Sequence, residues 1–129
     1  MAVTWQLWER MKNDEFDLYL SEITLFEIAG CSSPKRELLS SYLADIHYTR
    51  LDDSAEVRFL ANVYLQAGLL RSRSIADSFH LAFTSVYDLD ILLSWNFKDL
   101  VNYRTISGVK SINSINNYRD IFIYPPTML

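Results

Sequence analysis

Residues 74–96 read SIADSFHLAFTSVYDLDILLSWN, and this stretch decides the fold class. Ser74 can accept a hydrogen bond from the amide of Asp77, and the Asp77 carboxylate can reach back to the Ser74 amide. This capping-box pattern predicts that a helix begins at Ser74. Apolar residues then recur at steps of three and four, as in a helix that packs on a sheet: Ala76, Phe79, Ala82, Phe83 and Val86.

A short strand follows this helix. Residues 87–90 break the helical period, and residues 91–93, Ile-Leu-Leu, form an apolar run that fits a strand buried on both faces. A helix that leads into such a strand is typical of an alternating α/β chain. Asn96 lies just beyond the strand, and ligands of α/β proteins bind beyond the carboxyl ends of the strands.

The composition indicates a globular protein. The chain has 129 residues, of which 50% are hydrophobic and 22% charged, so we expect one domain with a sizeable core. It has no apolar segment of membrane-spanning length, and its first residues lack the apolar core of a secretion signal. Cys31 is the only cysteine, which excludes an internal disulfide and agrees with a reducing compartment. These features predict a cytoplasmic protein without membrane attachment.

The first third of the chain contains further helix and strand patterns. Residues 3–14 carry apolar side chains at helical spacing, and residues 16–20 are rich in strand formers. Thr24 and Glu27 match a second capping box, so a helix should begin there. Pro34 suits the first turn of another helix, which should run to about Leu43.

The remaining elements follow in alternation. Residues 46–51 predict a strand, and residues 52–54 offer caps for a helix that Gly68 ends. That helix has the clearest apolar stripe in the protein: Val57, Leu60, Ala61, Tyr64 and Leu65. Residues 102–117 are polar and are interpreted as irregular, and residues 121–124 predict a last strand.

Three polar side chains lie at the ends of predicted helices or strands and are candidate metal ligands. Glu27 and Asp77 occur at helix starts, and Asn96 directly follows a strand. In a parallel sheet such positions converge on one edge, where oxygen ligands could hold Mg²⁺ or Mn²⁺. Two such ions can activate water and stabilise a leaving oxygen during phosphodiester cleavage. Because the net charge is -4, a nucleic acid would need such ions or local Lys and Arg residues to bind.

Each candidate also has a purely structural interpretation. Glu27 and Asp77 can serve only as the acidic members of capping boxes. His80, one turn beyond Asp77, could orient it or a phosphate, or could simply pack. Arg71 and Arg73 could bind a phosphate or be solvated, and Ser94 and Trp95 could line the same edge. No glycine-rich phosphate loop or nucleophile triad is recognisable.

Four segments together resemble the PIN-domain family, in particular the VapC-like ribonuclease toxins of type II toxin-antitoxin systems. They are LSEITLFEI at 20–28, SIADSFHLA at 74–82, ILLSWNFK at 91–98 and YRDIFIYPP at 118–126. The resemblance implies an α/β sandwich with a parallel central sheet flanked by helices. It also implies cleavage of single-stranded RNA with Mg²⁺ or Mn²⁺, a homodimer and an antitoxin protein as partner. Glu27 and Asp77 would be metal-ligating acids, and Asn96 would replace a third acid.

The chain departs from the family pattern at its start. The family begins with a strand that ends in a metal-binding Asp, and no such strand precedes Trp5 here. The expectation is therefore a PIN-like fold without its N-terminal strand, with impaired or absent nuclease activity and strand edges that pair with another chain. The alternatives are an inactive PIN-like module for dimerisation or antitoxin binding and, if Glu27 and Asp77 lie far apart, a helix-rich adaptor.

Overall fold

The protein is a mixed α/β chain with short strands in small parallel sheets. The computed structural model describes residues 17–21, 25–26, 29–30, 32–70, 74–93 and 100–124. The chain divides into two compact units, Met1–Asp52 and Asp53–Leu129. None of the helices within the described ranges combines the length and the apolar composition that a membrane span requires.

The first unit contains strand β1 (Tyr19–Ser21), helix α1 (Ser33–Ala44) and strand β2 (Thr49–Leu51). The two strands pair in parallel, with Tyr19 opposite Thr49 and Ser21 opposite Leu51. Ser21 and Leu51 are the buried members of the pairing. The predicted helix from Pro34 to about Leu43 is confirmed, whereas both predicted strands are shorter and lie nearer the end of their segments. The predicted helix over 3–14 and the cap at Glu27 lie outside the described residues.

The second unit contains five elements in the described part of the chain. They are α2 (Ala55–Gln66), α3 (Ile75–Val86), β3 (Ile91–Leu93), α4 (Tyr103–Ile115) and β4 (Phe122–Tyr124). Helices α2 and α3 pack together, and β3 pairs in parallel with β4. The apolar core of this unit consists of Val57, Leu60, Ala61, Tyr64, Leu70, Leu81, Ala82, Phe83, Leu100, Val109, Ile121 and Ile123.

Helix α2 follows the sequence prediction closely. The Ser54 side chain caps it by accepting a hydrogen bond from the amide of Val57. Four members of the predicted stripe are buried, namely Val57, Leu60, Ala61 and Tyr64. The helix ends at Gln66, and Gly68 follows with a φ of 68°, which glycine adopts without steric cost.

Helix α3 begins and ends where the sequence predicts, but its buried face differs from the predicted one. Ala82 and Phe83 of the apolar stripe are buried, whereas Ala76, Phe79 and Val86 are only half-buried. The most buried positions include three hydroxyl residues: Ser78, Thr84 and Ser85. Ser78 and Thr84 donate to the carbonyl oxygens of Ile75 and His80, both at 2.8 Å, so their hydroxyl groups can be buried without an unpaired donor.

Two further sequence predictions are wrong in this unit. Residues 102–117 are not irregular, because α4 occupies Tyr103–Ile115 and is capped by the Asn102 side chain at 2.9 Å from the amide of Thr105. Its buried residues, Thr105, Val109 and Asn113, are spaced by four but are mostly polar, so an apolar count does not find them. Strand β3 is not buried on both faces, because Ile91 is 37% exposed.

A buried polar cluster joins α2, α3 and α4. The Tyr64 hydroxyl group bonds to Ser85 Oγ at 3.0 Å and donates to Asn113 Oδ1. Asn113 Nδ2 donates to Ser85 Oγ at 2.9 Å and to the carbonyl oxygen of Arg119 at 3.2 Å. The cluster satisfies these polar groups inside the core and fixes how α2, α3 and α4 pack.

Candidate functional site

Asp77 lies in the first turn of α3, where the sequence predicts it. The Asp77 amide donates to Ser74 Oγ at 3.2 Å, and the amide of Ser78 donates to the Ser74 carbonyl oxygen at 3.1 Å. The Asp77 residue is half-buried. The positive end of the helix dipole lies at this helix start and favours a negatively charged group there.

The backbone around Asp77 is anchored on both sides. The hydroxyl group of the fully buried Ser78 donates a hydrogen bond to the carbonyl oxygen of Ile75, which stabilises the first turn. His80 is half-buried and lies three residues after Asp77, so the two residues share a face of the helix. These hydrogen bonds hold the backbone of the first turn, to which the Asp77 and His80 side chains are attached.

A short turn connects α3 to β3. It comprises residues 87–90, in which the amide of Leu89 donates to the Thr84 carbonyl oxygen at 2.9 Å and Asp88 has a φ of 59°. Helix α3 also contacts β3. In α/β folds a helix joined to a strand in this way usually runs antiparallel to it, so the expected place of the first turn of α3, with Asp77, is toward the carboxyl end of β3.

The other predicted site residues lie outside the described part of the chain. Glu27 and Asn96 belong to this group, as do Arg71, Arg73, Ser94, Trp95 and Cys31. Within the described ranges, no group of three or more His, Cys, Asp or Glu residues could hold a metal ion. Asp77 fits one position of an oxygen-ligand site for Mg²⁺ or Mn²⁺, since hard cations prefer carboxylate ligands. The meeting of Glu27, Asp77 and Asn96 remains a prediction.

A polar cluster at the other end of β3 was not anticipated from the sequence. Arg119 Nε lies 3.0 Å from Asp88 Oδ1, and Arg119 Nη2 lies 3.0 Å from Asp90 Oδ1. The same Nη2 also donates to the Asp88 carbonyl oxygen at 2.6 Å. The positive φ of Asp88 is typical of a residue in a tight turn. The shared partner of Asp88 and Asp90 could not be found locally, because it lies 29 and 31 positions away.

One tyrosine beside this cluster has a perturbed pKa. The Tyr118 hydroxyl group donates to Glu56 Oε1 at 2.7 Å. Desolvation, together with the hydrogen bond to Glu56 and its negative charge, raises the pKa of Tyr118 to about 12. Tyr118 is therefore a neutral hydrogen-bond donor at physiological pH and links the loop after α4 to the first turn of α2.

A search for similar proteins found no matching family model, no matching curated protein and no matching solved structure.

Proposed function

We propose that the protein is a PIN-like, metal-dependent endonuclease of the toxin-antitoxin type that cleaves single-stranded RNA in the cytoplasm. In this proposal Glu27, Asp77 and Asn96 meet at one edge of a parallel central sheet in an α/β sandwich. They bind Mg²⁺ or Mn²⁺, which bridges to a phosphodiester of the RNA. The functional form is a homodimer that an antitoxin protein neutralises.

The position of Asp77 carries this proposal. Asp77 is half-buried in the capped first turn of α3, which leads through a short turn into β3. In α/β folds such a helix usually runs antiparallel to the strand, which would bring Asp77 toward the carboxyl end of β3, where α/β proteins bind ligands. The parallel pairing of β3 with β4 also supports the proposal, because parallel strands require crossover connections of the α/β kind.

The proposed ligand set predicts weak metal binding and low activity. Two carboxylates and one amide supply less negative charge than three carboxylates, so they hold a divalent cation less tightly. The bound ions would activate water and stabilise the leaving oxygen. Asp77 would orient an ion through its carboxylate, and His80 on the same face of α3 could position the phosphate or Asp77 itself.

Calorimetric titration with Mn²⁺ tests the proposal on the full chain. We expect measurable binding by the wild-type protein and its loss in Asp77→Asn, which removes the charge without changing the shape of the side chain. Glu56→Gln is the matched control, because Glu56 is also an acid in the first turn of a helix. The same three proteins are assayed for Mn²⁺-dependent cleavage of single-stranded RNA. Equal Mn²⁺ binding by wild type and Asp77→Asn would refute the proposed site.

The alternative is an inactive PIN-like module that dimerises or binds an antitoxin. The exposure of Ile91 and Phe122 on neighbouring strands favours it, since exposed apolar patches often mark interaction surfaces. Absence of both Mn²⁺ binding and RNA cleavage in the wild-type protein would select this alternative.

A further inference from the structure

Strand β4 has one buried and one outward side. Ile121 and Ile123 are 8% and 3% exposed, whereas Phe122 between them is 55% exposed. Asp120 is also exposed and Tyr124 is half-buried. Since successive side chains of a strand point to opposite faces, Phe122 and Tyr124 share the outward face.

Strand β3 extends the same apolar surface. Ile91 is the register partner of Phe122 in the parallel pair, so the two side chains lie on one face of the sheet. The rings of Phe122 and Tyr124 stack with their centroids 5.8 Å apart. We call Ile91, Phe122 and Tyr124 the outer sheet face. Parallel sheets normally have both faces covered, so this surface is suited to a partner.

Acidic side chains flank this face at the starting ends of the strands. We call Asp88, Asp90 and Asp120 the acidic rim. The Asp88 and Asp90 side chains are 68% and 81% exposed, and Asp120 is exposed as well. Among the described residues, the Arg119 guanidinium group pairs with Asp88 and Asp90, so the three carboxylates of the rim outnumber this cation. The rim therefore carries net negative charge next to an apolar surface.

We propose that the outer sheet face binds a polypeptide segment that presents apolar side chains beside Lys or Arg residues. Apolar side chains would cover Ile91, Phe122 and Tyr124, and the basic residues would pair with the acidic rim. Exposed aromatic residues such as Phe122 are suitable anchors, because aromatic side chains dominate the energetics of many interfaces. This inference holds whether or not the chain cleaves RNA.

The acidic rim decides between this partner and two others. In a symmetric dimer through the same face with its two-fold axis along the strands, the rims of the two copies would come close, and like charges would oppose the contact. An RNA strand that stacked on Phe122 would bring phosphates toward the same carboxylates, which is also unfavourable. A basic, apolar polypeptide complements both parts of the surface.

The test measures binding of labelled peptides to the full chain by fluorescence anisotropy. Two peptides of equal length are used, one alternating Leu with Lys and the other alternating Leu with Glu. We expect the basic peptide to bind at least about tenfold more tightly than the acidic one, because the rim attracts only the former. Amide chemical shifts should change in β3 and β4 when the basic peptide binds.

Matched variants distinguish peptide binding at the outer sheet face from non-specific electrostatic attraction to the protein. Phe122→Ser should weaken binding of the basic peptide at least about tenfold, as expected for an interface anchor. The control Phe59→Ser removes an aromatic residue of α2 that is 60% exposed and should stay within about twofold of wild type. Asp120→Asn should weaken binding several-fold, whereas Asp45→Asn, at an exposed position in the first unit, should not. Circular dichroism melting checks that each variant is folded.

Three results would overturn the inference. Equal binding of the basic peptide by wild type and Phe122→Ser would exclude the outer sheet face. A wild-type dimer in sedimentation that Phe122→Ser dissociates would assign the face to a second copy of the chain. Binding of a single-stranded RNA oligonucleotide that is lost only in Phe122→Ser would assign it to RNA. Asp77→Asn should bind the peptide like wild type, so failure of the metal site and failure of this inference are distinguishable.

Discussion

The Tyr64 hydroxyl group of α2 donates a hydrogen bond to the side-chain oxygen of Asn113 in α4, 49 positions later in the chain. Both residues are completely buried, and Ser85 of α3 completes the cluster. Every polar side-chain atom buried in the described part of the structure has a hydrogen-bond partner. The packing of the three helices therefore depends on a polar contact as well as on apolar burial.

Tyr64→Phe should destabilise the protein by about 1–3 kcal/mol. The substitution removes only the hydroxyl group, but it leaves Asn113 Oδ1 without its donor in the core. The free energy of unfolding is measured by urea titration with an unchanged m-value. Tyr103→Phe is the control, since Tyr103 is 85% exposed in α4 and its hydroxyl should contribute less than about 0.5 kcal/mol. Equal stabilities of the two variants would show that the cluster does not stabilise the fold.

Stability should fall between pH 10 and pH 12 because of Tyr64. Burial raises the pKa of Tyr64 from its ordinary value of 10.0 to about 12, despite the opposing effect of its hydrogen bonds with Ser85 and Asn113. The unfolded chain releases this proton first, so the contribution is complete below pH 10 and is lost as pH rises to about 12. The free energy of unfolding should therefore decrease by about 2–3 kcal/mol, since a shift of one pKa unit corresponds to roughly 1.4 kcal/mol.

Ultraviolet titration at alkaline pH, combined with unfolding at each pH, checks this prediction. Tyr64→Phe should remove one late-ionising tyrosine and make the alkaline loss of stability smaller than in wild type. Tyr118→Phe should remove a second late-ionising group, because the pKa of Tyr118 is also raised to about 12. A Tyr64→Phe protein with the same alkaline profile as wild type would contradict the assignment.

Gly108→Ala should destabilise the protein by about 1 kcal/mol, although alanine favours helices more than glycine. A Cβ atom at position 108 would clash with Leu69 Cδ2, so the Leu69 side chain would have to move. In a Leu69→Ala background the same substitution should instead stabilise α4, because the clash is gone and the helix propensity remains. Chemical unfolding of the four proteins in this cycle provides the measurement. A stabilising effect in both backgrounds would show that Leu69 does not restrict position 108.

Ser74→Ala should cost about 1 kcal/mol of stability, within the usual range for loss of a helix cap. The Ser74 side chain accepts the hydrogen bond from the Asp77 amide, and alanine cannot replace it. Ser74→Asn is the matched control, because asparagine caps helices about as well as serine. If the Asn variant lost as much stability as the Ala variant in thermal unfolding, the cap would not be the cause.

Local patterns in the sequence predicted α2 and α3 well. The caps at Ser54 and Ser74 and the helix end before Gly68 are confirmed, because each depends on contacts within a few residues. Helix α4 was missed for a related reason. Its buried positions are Thr105, Val109 and Asn113, and a search for apolar periodicity does not register buried polar residues.

The candidate site was predicted in part. Asp77 is on the capped helix start that the sequence indicates, whereas Glu27 and Asn96 lie outside the described residues. Whether these three side chains meet depends on strands that are distant in sequence. Spacing along the chain therefore indicates which residues could bind a metal, but it cannot decide their distances.

The sequence by itself determined where the capped helices begin and end and which chemistry their first turns could support. Only the tertiary structure decided that Ser85 and Asn113 are buried with Tyr64, and that Ile91 and Phe122 are exposed on a sheet of short strands. The physical reason is that these interactions act over different distances along the sequence. A cap acts over three residues, whereas burial is set by partners 21 to 49 positions away.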